Sequence, residues 1–203
     1  MLTLALTGGI ATGKSTFARL FCELAPSTCL FDSDGVVHDL LTKPEVVATV
    51  AASLGQDLTS ADGTLNRGRL RELVFEHPDR RKTLEGILHP LVRAACHASQ
   101  QQARASGAAA YFLADVPLLY ESNFPLQRDW DVVVACGPVT QRSRLMARNG
   151  FAPDLAERIL AAQLPVAEKM DRADTVLWNG GVPESLRRQT EHFLLWLKNK
   201  SSS

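Results

Sequence analysis

Surplus charge of either sign is missing: 22 Lys and Arg face 22 Asp and Glu in 203 residues, a formal net charge of zero. A protein that coats nucleic acid needs an excess of Lys and Arg against phosphate, so that class is excluded. No run approaches the roughly 18 consecutive apolar residues of a membrane helix. The opening MLTLALTGG has no basic flank and reaches glycine at Gly8, unlike a signal peptide. Cysteine is sparse, at Cys22, Cys29, Cys96 and Cys136, with no C-x-x-C pair. Zinc ligands come in close pairs, so reduced and mostly buried thiols are the expectation. The 5 histidines are scattered and suggest no metal cluster. These absences lead to the expectation of a soluble, cytoplasmic protein with neither nucleic acid nor membrane as partner. With 45% hydrophobic and 22% charged residues, the chain has ample material for one well-packed domain.

Strand-like and helix-like segments alternate along most of the chain. Short apolar runs read as strands at Leu2 to Thr7, Thr28 to Asp32, Ala109 to Val116, Trp130 to Cys136 and Asp174 to Trp178. Helical periodicity marks Lys14 to Leu24, Gln141 to Arg148, Pro153 to Gln163, and Pro183 to about Lys198. This alternation implies an α/β fold with right-handed crossovers and a parallel sheet covered on both faces. From about 34 to 107 the rhythm changes to helical patterns with no convincing strand. Asp62-Gly63 marks a turn there, and Pro90 is expected to break a helix near His89. Such an insertion suits a substrate-recognition segment within a single domain of 1–203, although extra packing would read the same way. The terminal KNKSSS is expected to fray.

The strongest chemical signal is Gly8-Gly9-Ile10-Ala11-Thr12-Gly13-Lys14-Ser15, a complete G-x-x-x-x-G-K-[ST] between a strand and a helix. Glycines allow the loop to wrap its N–H groups round phosphate oxygens, and the following helix aims its positive end at them. Lys14 then meets the β- and γ-phosphates, and the Ser15 hydroxyl meets Mg²⁺. Ligands of open α/β sheets lie beyond the carboxyl ends of the strands, where Asp32 and Asp34 are expected. A carboxylate there can accept a hydroxyl proton or hold a metal, or one of these residues can cap the next helix. His38, one turn further on, reads equally as packing or as a substrate contact. Arg144 and Arg148 share one helical face, with Arg142 nearby. Arginine-bearing lids close over triphosphates, whereas a basic helix face can also be merely solvated. Asp115 ends the third strand as a second metal-anchoring acid or as an ordinary cap.

Together with further segments, these motifs carry a resemblance over nearly the full length. LTGGIATGKS, FDSDGVVHDL, DGTLNRGRLRELVF, ILHPLVR, DVPLLYE, QRSRLMARNG and AAQLPVAEKMDRADTVLWNGG follow one another as in the dephospho-CoA kinase family, which this chain resembles. The resemblance implies a nucleoside-monophosphate-kinase-like P-loop fold, with a helical substrate insertion at about 34–107 and a lid at about 139–170. It implies transfer of the ATP γ-phosphoryl to the ribose 3′-hydroxyl of dephospho-CoA, with Mg²⁺; a monomer is the separate expectation. Asp34 would be the base, with Lys14 and Arg144 catalytic beside it. Gly8 to Thr16, Arg148 and Asn179 would hold ATP, with Asn179 near the adenine. Thr7, Asp34, Arg67, His89 and Arg93 would hold the substrate. Gly68 and Tyr120 depart from the usual longer basic residue and Phe. A kinase for another hydroxyl acceptor and a nucleotide-binding regulator are the alternatives. A guanine-reading N-K-x-D is absent.

Overall fold

A computed structural model of the chain describes residues 1–60 and 62–201. Five strands form one sheet: β1 (Leu2–Gly8), β2 (Thr28–Asp32), β3 (Tyr111–Asp115), β4 (Trp130–Ala135) and β5 (Thr175–Trp178), in the order β2-β3-β1-β4-β5. The β1 ladders to β3 and β4, and the β4 ladder to β5, are all parallel. Nearly every residue of β1, β3 and β4 is buried, as expected of strands covered on both faces. The helices are α1 (Lys14–Leu24), α2 (Ser33–Leu40), α3 (Pro44–Leu54), α4 (Arg67–Glu76), α5 (Pro78–Ser106), α6 (Pro138–Asn149), α7 (Pro153–Ala161), α8 (Val166–Arg172) and α9 (Pro183–Ser201).

The chain divides into two compact units, Met1–Phe31 with Ser99–Ser203, and Asp32–Ala98. In the first, Leu4, Leu6, Leu113, Val132 and Val134 pack against Phe17 and Phe21 of α1 and Leu186, Phe193 and Leu197 of α9. Phe21 is fully buried and meets Phe17, Tyr111 and Phe193 ring to ring. Truncating such a side chain to alanine costs about 3–5 kcal/mol. Thr3 and Thr7 are buried on the opposite face, where Gln100 Nε2 donates to Thr3 Oγ1 over 3.0 Å.

The second unit is helical, with one isolated bridge between Thr59 and Leu65 around a turn at Asp62-Gly63, where Gly63 has φ 80°. Asp62 Oδ1 accepts from the Thr64 amide and hydroxyl.

Three features differ from the sequence expectation. Pro90 does not break a helix: α5 runs through it over 29 residues. Proline removes one N–H and crowds the carbonyl four residues back, here that of Gly86, yet the helix continues. The buried stripe Leu88, Val92, Cys96 at four-residue spacing keeps both sides of Pro90 in one helix. Likewise, KNKS of the terminal segment is not frayed but completes α9, anchored one residue earlier by the fully buried Leu197; Ser202 and Ser203 lie outside the described residues. Finally, α8 is an additional helix with no strong periodic signal in the sequence.

Candidate active site

In this strand order β1 lies between β3 and β4, and its carboxyl end opens into the loop Gly8–Gly13 before α1. Such a reversal of strand order creates a crevice beyond the strand ends. Among the described residues no side-chain hydrogen bond caps α1, so the positive start of this helix suits an anion. Gly13 has φ 97°, and a Cβ there would sit 2.0 Å from Asn179 Nδ2. Only glycine meets both conditions. Ala11 takes φ 60° without being glycine, a strained conformation of the kind that gathers at functional loops.

Side-chain amides hold this loop from below. Gln141 Nε2 donates to the Ile10 carbonyl over 2.8 Å, and the Ile10 N–H donates to Gln163 Oε1 over 3.0 Å. Asn179 Nδ2 donates to the Thr12 carbonyl over 2.8 Å, which places Asn179 beneath the loop. Gln141 and Asn179 are both buried. Their hydrogen bonds turn loop carbonyls towards the protein, a pre-organisation that an electrostatic site requires.

Lys14 forms an ion pair with Asp115, the last residue of β3, and both side chains are largely buried. Ser15 lies exposed in the first turn of α1. Thr7 is buried and donates through Oγ1 to the Pro117 carbonyl over 3.0 Å. On α6, Arg144 lies beside Cys136, the residue after β4: burial pushes the Cys136 thiol up, and the Arg144 guanidinium opposes that rise. The Arg144 Nη1 is buried yet has no hydrogen-bond acceptor among the described residues. A buried orphan donor is costly, so an acceptor brought by a ligand would satisfy it. Arg148 stands one turn later and is exposed. Arg142 forms a 3.1 Å pair with Glu157 of α7, both exposed.

Within the second unit, Asp32 is the N-cap of α2, its Oδ1 accepting from the Asp34 N–H over 3.1 Å. The capping role thus falls to Asp32, and the exposed Asp34 carboxylate is not spent on it. Arg67, the first residue of α4, lays its guanidinium on the His38 ring and donates to the His38 carbonyl over 2.9 Å. His89 and Arg93 follow one another by one turn of α5, both half-buried.

Gln141, Gln163, Glu121 and Lys169 escaped the sequence reading. Lys169 is fully buried, with Nζ 2.8 Å from Glu121 Oε1, 2.9 Å from the Pro117 carbonyl and 3.4 Å from that of Gly8. A lysine in a short polar helix reads as surface, and no local pattern reveals that this one is not.

The family model described as dephospho-CoA kinase matches residues 2–184. The chain belongs to the dephospho-CoA kinase family. Among its relatives, the dephospho-CoA kinase of Symbiobacterium thermophilum is 41% identical over 192 residues, covering 94% of this chain and 79% of the relative. That of Anaeromyxobacter dehalogenans is 40% identical, covering 98% and 93%. A protein of solved structure from Thermus thermophilus is similar with a TM-score of 0.78 at 29% identity, covering 97% of each chain. The dephospho-CoA kinase from Campylobacter jejuni shares the fold at a TM-score of 0.69 and 23% identity, covering 98% of each chain. A shikimate kinase from Bacteroides thetaiotaomicron shares the fold more distantly, at a TM-score of 0.52 and 13% identity over 97% of this chain and 98% of that one.

Proposed function

We propose that this chain transfers the γ-phosphoryl group of ATP to the ribose 3′-hydroxyl of dephospho-CoA, giving CoA and ADP. The observation that carries the reading is the pre-organised phosphate loop, its carbonyls turned away and Lys14 at its end, in a member of the dephospho-CoA kinase family.

The loop amides and the start of α1 bind the β- and γ-phosphates, and Lys14 opposes the charge that spreads over the transferring oxygens. Asp115 holds the ammonium in place beforehand, so little reorganisation is needed when the phosphates arrive. Arg144 gives its unsatisfied Nη1 to a phosphate oxygen, and Arg148 adds charge on the same face. Asp34 accepts the proton of the ribose hydroxyl or orients it. Arg67, His89 and Arg93 hold the anionic substrate, and Thr7 braces the segment after β3.

Magnesium suits the donor set. The Ser15 hydroxyl and the Asp115 carboxylate are hard oxygens, and no group of 3 or more His, Cys, Asp or Glu among the described residues could cage a metal. Mg²⁺ is commonly held by one or two protein oxygens together with phosphate and water, a donor chemistry that the Ser15 hydroxyl and Asp115 carboxylate match. Ser15 and Asp115 would hold it, and it would supply positive charge against the transferring phosphates. Among the described residues no helix is long and apolar enough to cross a membrane.

The test is ADP formation from MgATP with dephospho-CoA, adenosine, AMP and shikimate as acceptors. Turnover strongest with dephospho-CoA supports the reading. Turnover confined to another acceptor, or ATP binding with no acceptor used, refutes it.

A further inference from the structure

Lys169 uses all three of its N–H donors on three oxygens, and those oxygens belong to separate segments. Gly8 opens the phosphate loop; Pro117 and Glu121 lie on the segment after β3. Each of the two nearer acceptors is shared: the Pro117 carbonyl also takes the Thr7 hydroxyl, and Glu121 Oε1 also takes the Leu164 N–H, just before α8. Asp115, the partner of Lys14, is two residues before Pro117. An ammonium with 0% exposure persists only when its charge is paired and its donors are met, and both conditions hold here.

We propose that Lys169 is a positioning residue for phosphoryl transfer. It fixes the start of the phosphate loop against the segment that carries Asp115, and so sets where Lys14 meets the transferring phosphate. Lys169 touches neither substrate in this scheme; it acts through the Gly8 and Pro117 carbonyls. This inference rests on the phosphate-loop reading given above. A salt bridge that served stability alone would need only Glu121. The two carbonyl contacts are what tie the lysine to the loop.

The experiment compares wild type, Lys169→Met, and Lys169→Met combined with Glu121→Gln, by thermal unfolding and by kcat and KM for both substrates. The single variant leaves Glu121 without its cation and should lose both stability and turnover. The double variant removes both charges while Gln keeps an acceptor for Leu164, so stability should return, since replacing a whole buried pair is often neutral. Its kcat should nevertheless stay down by at least about tenfold, approaching the roughly 10²-fold that a 1 Å misplacement costs. KM for dephospho-CoA should change little. Recovery of kcat together with stability would overturn the positioning role, as would wild-type kcat in the single variant. Failure of wild type itself to phosphorylate dephospho-CoA would instead refute the functional reading, which keeps the two outcomes apart.

Discussion

The Lys14 ammonium rests on the carboxylate of Asp115, joining the loop after β1 to the end of the neighbouring β3. Both side chains are largely shielded from water, so the pair is held by geometry and is little screened by salt. A phosphate entering the loop meets a cation already oriented. Lys14→Ala should therefore lower kcat/KM by at least about 10²-fold, comparable with removing one donor to developing charge. Steady-state kinetics on a variant with a wild-type circular dichroism spectrum checks this; unchanged turnover would remove Lys14 from the mechanism.

Asp34 offers a carboxylate that the α2 cap does not need, because Asp32 supplies the cap. Asp34→Asn keeps the size of the side chain but loses the proton acceptor. Its kcat should fall by about 10²–10⁴-fold, towards the lower end if the loose transition state needs little proton transfer. ATP affinity, measured by calorimetry, should hardly change. Asp32→Ala should instead cost stability, about 1 kcal/mol for a lost cap.

The two neighbouring arginines of α6 should behave oppositely. Arg144 keeps a buried Nη1 without an acceptor among the described residues, whereas Arg142 is spent on an exposed pair with Glu157. Arg144→Ala should raise KM for ATP and lower kcat, while Arg142→Ala should leave both within about twofold, since exposed pairs contribute at most about 1 kcal/mol. Equal losses in the two variants would contradict this division of roles.

Cys96 is buried in the α5 stripe, and burial pushes its thiol up to about 12. The folded chain therefore keeps this proton at pH values where an unfolded thiol, near 8.5, has released it. Folded-state protonation favours the native form below about pH 8.5, and that contribution is lost as pH rises from there towards 12. A thiol reagent at pH 8 should modify Cys96 only after unfolding, and Cys96→Ala should flatten the alkaline fall in stability. Rapid modification in the native state would contradict the burial.

Much of this was legible along the chain because the signals are local. The phosphate loop is a contiguous motif, and β1, β3 and β4 read as apolar runs because parallel strands bury both faces. The α1 bounds follow from Phe17, Leu20, Phe21 and Leu24 at helical spacing. Pro90 misled because its local preference for breaking a helix is outweighed by a packed stripe that spans it. Lys169 and Gln163 were invisible for a different reason: their phosphate-loop partners are 161 and 153 residues away, and polar side chains carry no mark of burial. The ordering of Asp32 as cap over Asp34 also needed coordinates, since either acid suits the start of α2.

The proposed reaction moves the γ-phosphoryl group to one ribose oxygen of dephospho-CoA. Phosphorus NMR of the product made from MgATP and dephospho-CoA reads this directly. The expected spectrum shows one new phosphate monoester, coupled to the ribose 3′ proton, with one ADP formed for each. A monoester on another oxygen, or ADP formed with dephospho-CoA unchanged, would contradict it.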